Sequence, residues 1–489
     1  MHKEAFINRL LYLLNMFATS VIFLFIVYDF FLILIMWELI GLFSLLLVNF
    51  YSIRVYTIKA ALKTFIFSRI SDMFIFLSFI LIILVFNTTD LSLIFLQTPF
   101  LIFHRIFLFK TFSLHFLTIL TFLISISGAI KGAQFFFHVW LPDAMEAPTP
   151  ASALIHSSTL VIMGVFLIIR CSIFFEFVIF SNYFLAFLGS LTIAFGAVSA
   201  VFQNDIKKLV AYSTISQIGY LFCGCGFFCY EEVLIYLTLH AVNKAFLFIL
   251  VGYIVHYFNG NTDLRFMGGM FLYSFDISVF LLGVCFNLTG LPLSAGFFSK
   301  EFLLFQILKG DYFSFIIRGF WVISFIFTPV YMFMLVFNVI FSFKKGNLNI
   351  YFSNWFFKPF FLNFFTKLKF KLLYQFQFSV FTARSTVFLL FFFWLFFFFF
   401  GETFILICYN FINLTDTFNY SFFFNIKNYF IFNIFTLTES LLSNLTIIIL
   451  LSSILSLLFL FFIKIFSYNS IFYMYFFDLM LVISFIILI

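Results

Sequence analysis

The chain has 489 residues, of which 65% are hydrophobic and 9% charged, with a mean hydropathy of +1.20. It lacks the polar side chains needed to cover a water-soluble globule, which excludes a soluble enzyme or a free binding module. The net charge of +7 is scattered over positions such as Lys344, Lys345, Lys367, Lys369 and Lys371. It forms no block suited to nucleic acid and reads as loop charge that orients membrane spans. The apolar runs are continuous rather than alternating, which predicts an all-α polytopic membrane protein of about 13 spans instead of a barrel.

Two spans are predicted first, Phe6 to Tyr28 and Phe30 to Phe50, and the second carries Glu38 in WELIGLF. A third run, AALKTFIFSRISDMF, places Arg69 and Asp72 three residues apart, close enough to pair on one helix face. Residues 87 to 114 are more polar, contain Pro99, and read as a loop with one short helix. From Lys131 to Ile169 the chain runs KGAQFFFHVWLPDAMEAPTPASALIHSSTLVIMGVFLII, with a break expected at Leu141-Pro142 and His156 inside the following apolar run. A lysine at that depth costs roughly 3 kcal/mol on insertion scales, so a membrane protein that keeps one usually uses it.

Phe180 to Val201 is a further span, followed by QNDIKKLVAYSTISQIGYLF, whose Asp205, Lys207 and Lys208 stand at the head of a helix. In VLIYLTLHAVNKAFLFILVGY, His240 and Lys244 fall one above the other on one helix face. A second broken helix is expected around Gly290, Pro292 and Gly296, with Lys300 and Glu301 just beyond it. Paired broken helices in two halves point to a transporter core built from repeats. Beyond Phe315 the spans near Trp321–Phe343, Val380–Phe399, Ile447–Ile463 and Phe472–Ile489 carry no obvious mid-span charge and read as scaffold.

Cys171, Cys223, Cys225, Cys229, Cys285 and Cys408 lack the spacing of a metal site and read as small apolar fillers. The 95 phenylalanines fit an A+T-rich coding genome of the organellar kind, and MHKEAFINRLLYLLN shows no removable targeting segment. Glu38, Asp72, Lys131, His156, His240, Lys244 and Lys300 thus form a set of ionisable groups in or beside apolar spans, suited to passing protons.

In KGAQFFFHVWLPDAMEAPTPASALIHSSTLV, DIKKLVAYSTISQIGY, HAVNKAFLF and GLPLSAGFFSKEFLL, in that order, the chain resembles the antiporter-like subunits of respiratory complex I, most of all their subunit 5 branch. The resemblance implies a bundle of inverted repeats. Residues 1–200 would form the first half, truncated at its start, 201–345 the second half, and 346–489 the C-terminal helices and connecting segment. It also implies roles: Glu38 paired with the central Lys131, His156 as the connecting group, His240 and Lys244 between the halves, and Lys300 as the lysine of the second broken helix. Arg69 and Asp72 would couple or stabilise the uptake side, with Glu301 in support. The family has roughly three further helices ahead of the Glu38 span, whose absence here a separately encoded chain, or loss with replacement by other subunits, would explain. A full-length lateral helix does not fit residues 408–440, and Asn243 stands where relatives have an aromatic.

The function so implied is proton translocation in mitochondrial NADH:ubiquinone oxidoreductase, coupled to quinone reduction elsewhere, in the inner membrane and from an organelle-encoded chain. No cofactor or metal is expected on this chain, with NADH, FMN, iron-sulfur clusters and ubiquinone in other subunits. Partners are other membrane-arm subunits, especially the neighbouring subunit 4, and lipids. The competing readings are a subunit of a multi-subunit sodium/proton antiporter, which would exchange ions without NADH or quinone, and a subunit that only completes the membrane arm. The retention of Glu38, Lys131, Lys244 and Lys300 argues against the last.

Overall fold

The computed structural model describes residues 6–102, 104–109, 112–157, 159–290, 294–308 and 313–342. The expected spans near 380–399, 447–463 and 472–489, the 346–489 segment with its lateral helix, Pro292 and Cys408 lie outside the described residues, and Glu301 is placed only as part of a helix backbone.

Helices α1 (Ile7–Ile26), α2 (Phe30–Val48) and α3 (Val55–Phe86) open the chain. A short α4 (Leu91–Gln97) and an antiparallel hairpin, β1 (Arg105–Phe109) with β2 (Phe112–His115), follow. The hairpin adds to the single short helix expected there. Next come α5 (Phe116–Lys131), α6 (Trp140–Asp143), α7 (Thr149–Ser157), α8 (Leu160–Arg170), α9 (Ser172–Glu176) and α10 (Ile179–Val201). The second half holds α11 (Ile206–Gly226), α12 (Tyr230–Tyr257), α13 (Met270–Tyr273), α14 (Phe275–Thr289), α15 (Ala295–Leu308) and α16 (Phe313–Val336). Among the described residues seven helical segments are long and apolar enough to cross a bilayer, which makes this a multi-pass all-α membrane protein.

The halves are related by inversion. Just before α2, Asp29 forms an isolated antiparallel bridge with Asp90 just after α3. Phe30 N–H donates to Thr89 O at 2.9 Å and Leu91 N–H to Tyr28 O at 3.1 Å. The same clasp recurs between Asp205, before α11, and Asp263, after α12, with Ile206 N–H on Thr262 O and Leu264 N–H on Asn204 O, both at 2.9 Å. Following the spans from α2 to α10 places the second clasp on the opposite membrane face. Contacts between distant segments agree: Arg170, ending α8, donates to Phe25 O and Val27 O beside Asp29, while Ser342, beyond α16, donates to Met267 O near Asp263. The two sides are called below the Asp29 face and the Asp205 face.

Each half contains one interrupted helix. The first interruption falls at Gly132, ten residues before the expected Leu141-Pro142. Ala133 and Phe136 turn to positive φ, at 49° and 73°, which ends α5. Pro142 instead lies in the first turn of α6, where its missing N–H leaves no helical bond unmade. The second interruption is where the sequence places it. Gly290 takes a left-handed conformation (φ 75°) after α14, a geometry glycine adopts without steric penalty.

Candidate proton-relay site

Lys131 ends α5, and its side chain is 1% exposed. Its ammonium donates to Trp37 O at 2.6 Å, lies 4.2 Å from the centre of the Trp37 ring, and stands 3.4 Å from Asp72 Oδ1. Trp37 is eight residues into α2, about 12 Å along the helix from the Asp29 face. The indole is fixed in turn, since Nε1 donates to Ser71 Oγ at 3.2 Å and that hydroxyl donates to Ser127 O at 3.1 Å.

The carboxylate against Lys131 is therefore Asp72 of α3, and this corrects the expected pairing with Glu38. Glu38 sits on α2 next to Trp37 and is only partly buried, and among the described residues it makes no ion pair. Once Trp37 turns inward over the lysine, the next residue points about 100° away around the helix. Asp72 is 6% exposed and also lies 3.5 Å from Arg69 Nη1, so it sits between two cations.

His156 is fully buried near the end of α7, its ring 6.3 Å from that of Trp140 and 6.4 Å from that of Phe248 on α12. It thus bridges from the Lys131 region to the helix bearing Lys244, one turn from Phe248. On α12, Tyr236, His240 and Lys244 repeat every four residues and are all buried. Ser213, Gln217 and Tyr220 on α11 meet them. Lys244 Nζ donates to Ser213 Oγ at 2.5 Å, and the Tyr236 hydroxyl donates to Gln217 Oε1. Tyr220 shares a short hydrogen bond with Ser324 of α16, and its ring lies 5.9 Å from Lys300 Nζ. Neither ring nitrogen of His156 or His240 meets a hydrogen-bond partner among the described residues.

Lys300, on α15, donates to Leu288 O at 2.5 Å, the carbonyl end of α14, where the helix dipole favours a cation. Asn287 fastens the same interruption, accepting from Gly296 N–H at 2.7 Å and donating to Asn243 Oδ1 at 2.8 Å. Asn243 therefore ties α12 to the second break.

The structure brings Lys131 together with Asp72 and Arg69, and His240, Lys244 and Lys300 into the neighbouring cluster, with His156 between them. Trp37, Ser71, Ser213, Gln217, Tyr220, Tyr236 and Ser324 were not singled out in the sequence. The spacing of Ser213, Gln217 and Tyr220 within STISQIGY is the one signal that marks a polar helix face. Among the described residues no cluster of His, Cys, Asp and Glu could hold a metal ion, and Cys171, Cys223, Cys225, Cys229 and Cys285 are free and buried.

Comparison with known proteins identifies the family. The chain is 44% identical over 336 residues to NADH-ubiquinone oxidoreductase chain 5 of Nyctotherus ovalis, covering 68% of this chain and 18% of that protein. It is 40% identical to chain 5 of Chondrus crispus over 328 residues (64% and 48% covered) and 39% identical to that of Paramecium tetraurelia over 348 residues (71% and 60%). The chain thus spans less than two thirds of the length of these relatives. In structure it is similar to a chain of the Mrp complex from Dietzia sp., with a TM-score of 0.60, 27% identity, and coverage of 66% of this chain and 35% of that one. The family described as NADH:quinone oxidoreductase/Mrp antiporter, transmembrane, matches residues 27–328, the stretch that holds both interrupted helices and every buried charge described above, and the chain belongs to that family.

Proposed function

We propose that this chain is a proton-translocating membrane subunit of a mitochondrial NADH:ubiquinone oxidoreductase, of the chain 5 type. The observation that carries the reading is the repetition, in two inverted halves, of a buried lysine at an interrupted helix, with Lys131 and Lys300 connected through buried polar groups on α7, α11 and α12. Charged groups inside a membrane bundle mark ion pathways, and nothing among these side chains resembles a redox centre. The chain would bind no cofactor of its own. NADH, FMN, iron-sulfur clusters and ubiquinone belong in other subunits.

In this mechanism a charge shift driven by quinone reduction reaches Asp72, with Glu38 one helix away, and alters its hold on Lys131. Lys131 then gives up or regains a proton, which passes His156 to His240 and Lys244, and by Gln217, Tyr236 and Tyr220 to Lys300. The unpartnered ring nitrogens of the two histidines suit groups that hand protons on through water. Partners would be the other membrane-arm subunits, with subunit 4 beside it. The place of work would be the mitochondrial inner membrane, with the gene in the organelle.

The Mrp likeness favours one second reading, a sodium/proton antiporter subunit. Purifying the native complex in mild detergent, identifying its chains and measuring NADH-driven proton uptake decides between them. Recovery with a large NADH-oxidising assembly, whose proton uptake falls when Lys131 is replaced by Ala, supports the first. Recovery in a small complex that exchanges sodium for protons without NADH supports the second.

A further inference from the structure

The relay leaves one polar feature of α3 unused. Asp72, Ser68 and Thr64 are spaced by four residues, fall on one helix face and are all buried. The stripe runs from Lys131 toward the Asp205 face. On α2, Gly41 and Ser44 lie against it, and a Cβ on Gly41 would come within 3.4 Å of Ser68 Oγ and 3.9 Å of Asp72 Oδ2. Between these elements is a cavity of ≈ 10 Å³, room for about one water, lined by Ser44, Thr64, Ser68, Lys131, Trp140 and Ala144 among others. Ser44, Thr64 and Ser68 each donate to a carbonyl of their own helix, at 2.7, 2.8 and 2.8 Å, so their lone pairs are available to accept from whatever enters.

One ion pair joins two of the elements that border this cavity. Lys63 precedes Thr64 and Asp143 precedes Ala144, and Lys63 Nζ stands 2.5 Å from Asp143 Oδ2 with the two side chains 35% and 43% exposed. The pair ties α3 to the segment after the first break, with both side chains partly exposed. Its face is the richer in cations: Arg54, Lys59, Lys63, Lys207, Lys208 and Arg265 stand there with Asp143, Glu146, Asp205 and Asp263, whereas the other has Arg105 and Arg170 with Asp29, Asp90, Glu176, Glu231 and Glu232. By the bias of membrane loops, the Asp205 face is the side from which the chain inserts and from which a pump would draw protons.

We propose that Lys63 and Asp143 are the closure of an aqueous route from the Asp205 face to Lys131. When the pair parts, water or hydronium reaches Lys131 over Thr64, Ser44 and Ser68. A half-exposed ion pair holds weakly, so the closure opens without disturbing the core. The proposal rests on the proton-translocation reading for its purpose, but its test reads water access alone and stands or falls apart from that reading.

The test places Cys at Thr64 in the native membrane complex and measures modification by a charged, membrane-impermeant thiosulfonate added to vesicles of either orientation. The parent chain, whose described cysteines are all buried, is the blank. Slow modification is expected with the pair intact, and a rate higher by roughly fivefold or more with Asp143→Asn or Lys63→Met, the factor set by a weak pair. Modification should come from the Asp205 face only, and the exchange Lys63→Asp with Asp143→Lys should restore the slow rate. Equal rates in all variants, no reaction in any, or reaction from the Asp29 face overturns the proposal. If Asp143→Asn does not assemble, Lys63→Met carries the same comparison.

Discussion

Replacing Asp72 by Asn is the most informative perturbation of the Lys131 site. The pair is 3.4 Å apart with side chains 6% and 1% exposed, so solvent screens it little. At an effective dielectric of 20 the attraction is about 5 kcal/mol, much of it offset by the desolvation of both groups. Asp72→Asn leaves the buried Lys131 without its carboxylate and should destabilise by about 3–5 kcal/mol, whereas Lys131→Met leaves Asp72 beside Arg69 and should cost less. The double variant leaves only the part-exposed Arg69 without its carboxylate, and its loss should fall short of the sum by up to about 3 kcal/mol. The assay is a denaturant titration of the purified complex in detergent for the four members of the cycle, with NADH-driven proton uptake measured alongside. Additive losses would refute the coupling. A larger coupling between Glu38→Gln and Lys131→Met than between Asp72→Asn and Lys131→Met would return the pairing to Glu38.

Four further outcomes follow from the described geometry. Ser213→Ala removes the hydroxyl that Lys244 donates to, and under the proposed function proton uptake should fall about tenfold or more, for a hydrogen bond to a charged group worth roughly 1.5–3 kcal/mol, with assembly unchanged on native gels. Asn287→Leu leaves Gly296 N–H and the Asn243 amide without that partner and should cost about 1–3 kcal/mol, read as earlier thermal loss of the complex. Gly296→Ala drives a methyl group into the Asn287 carbonyl, and the complex should fail to accumulate in membranes. Asp263 is held below its usual range by hydrogen bonds from Arg265, so its contribution is present above the unfolded value of about 3.9 and lost as pH falls through the lower folded value. Amide exchange in the 261–266 loop, corrected for intrinsic rates, should therefore be flat from pH 5 to 8 in the native chain, and faster throughout in Asp263→Asn.

The lysines were legible in the sequence because hydrocarbon penalises them wherever the helix turns. The same penalty marks His240 and Lys244, four apart in an apolar run. Which carboxylate faces Lys131 was not legible. Glu38 and Asp72 each stand alone in a span, and the choice depends on the rotation of α2, fixed by Trp37 bonding to Ser71 across the interface. The first break was misplaced because Pro142 is a louder local signal than Ala133 and Phe136, which adopt positive φ only under tertiary constraint. The hydroxyl stripes of α3 and α11 stayed hidden for another reason. Serine and threonine can bond their own helix anywhere in a span, so spacing alone does not tell a lined route from a tolerated residue.

The twin clasps have a mechanical consequence. The pair α2 and α3 is joined by the 49–54 turn at one end and by Asp29 with Asp90 at the other, and α11 and α12 are likewise joined by residues 227–229 and by Asp205 with Asp263. Each pair is a closed hoop with both ends tied, stiff against splaying. Among the described residues each interrupted helix is hung on such a hoop by side chains alone, Lys131 on Trp37 and Asp72 of the first and Asn287 on Asn243 of the second. Because the ties are backbone hydrogen bonds at the membrane surface, side chains along the hoops can change freely while the two stiff frames, facing opposite ways, persist.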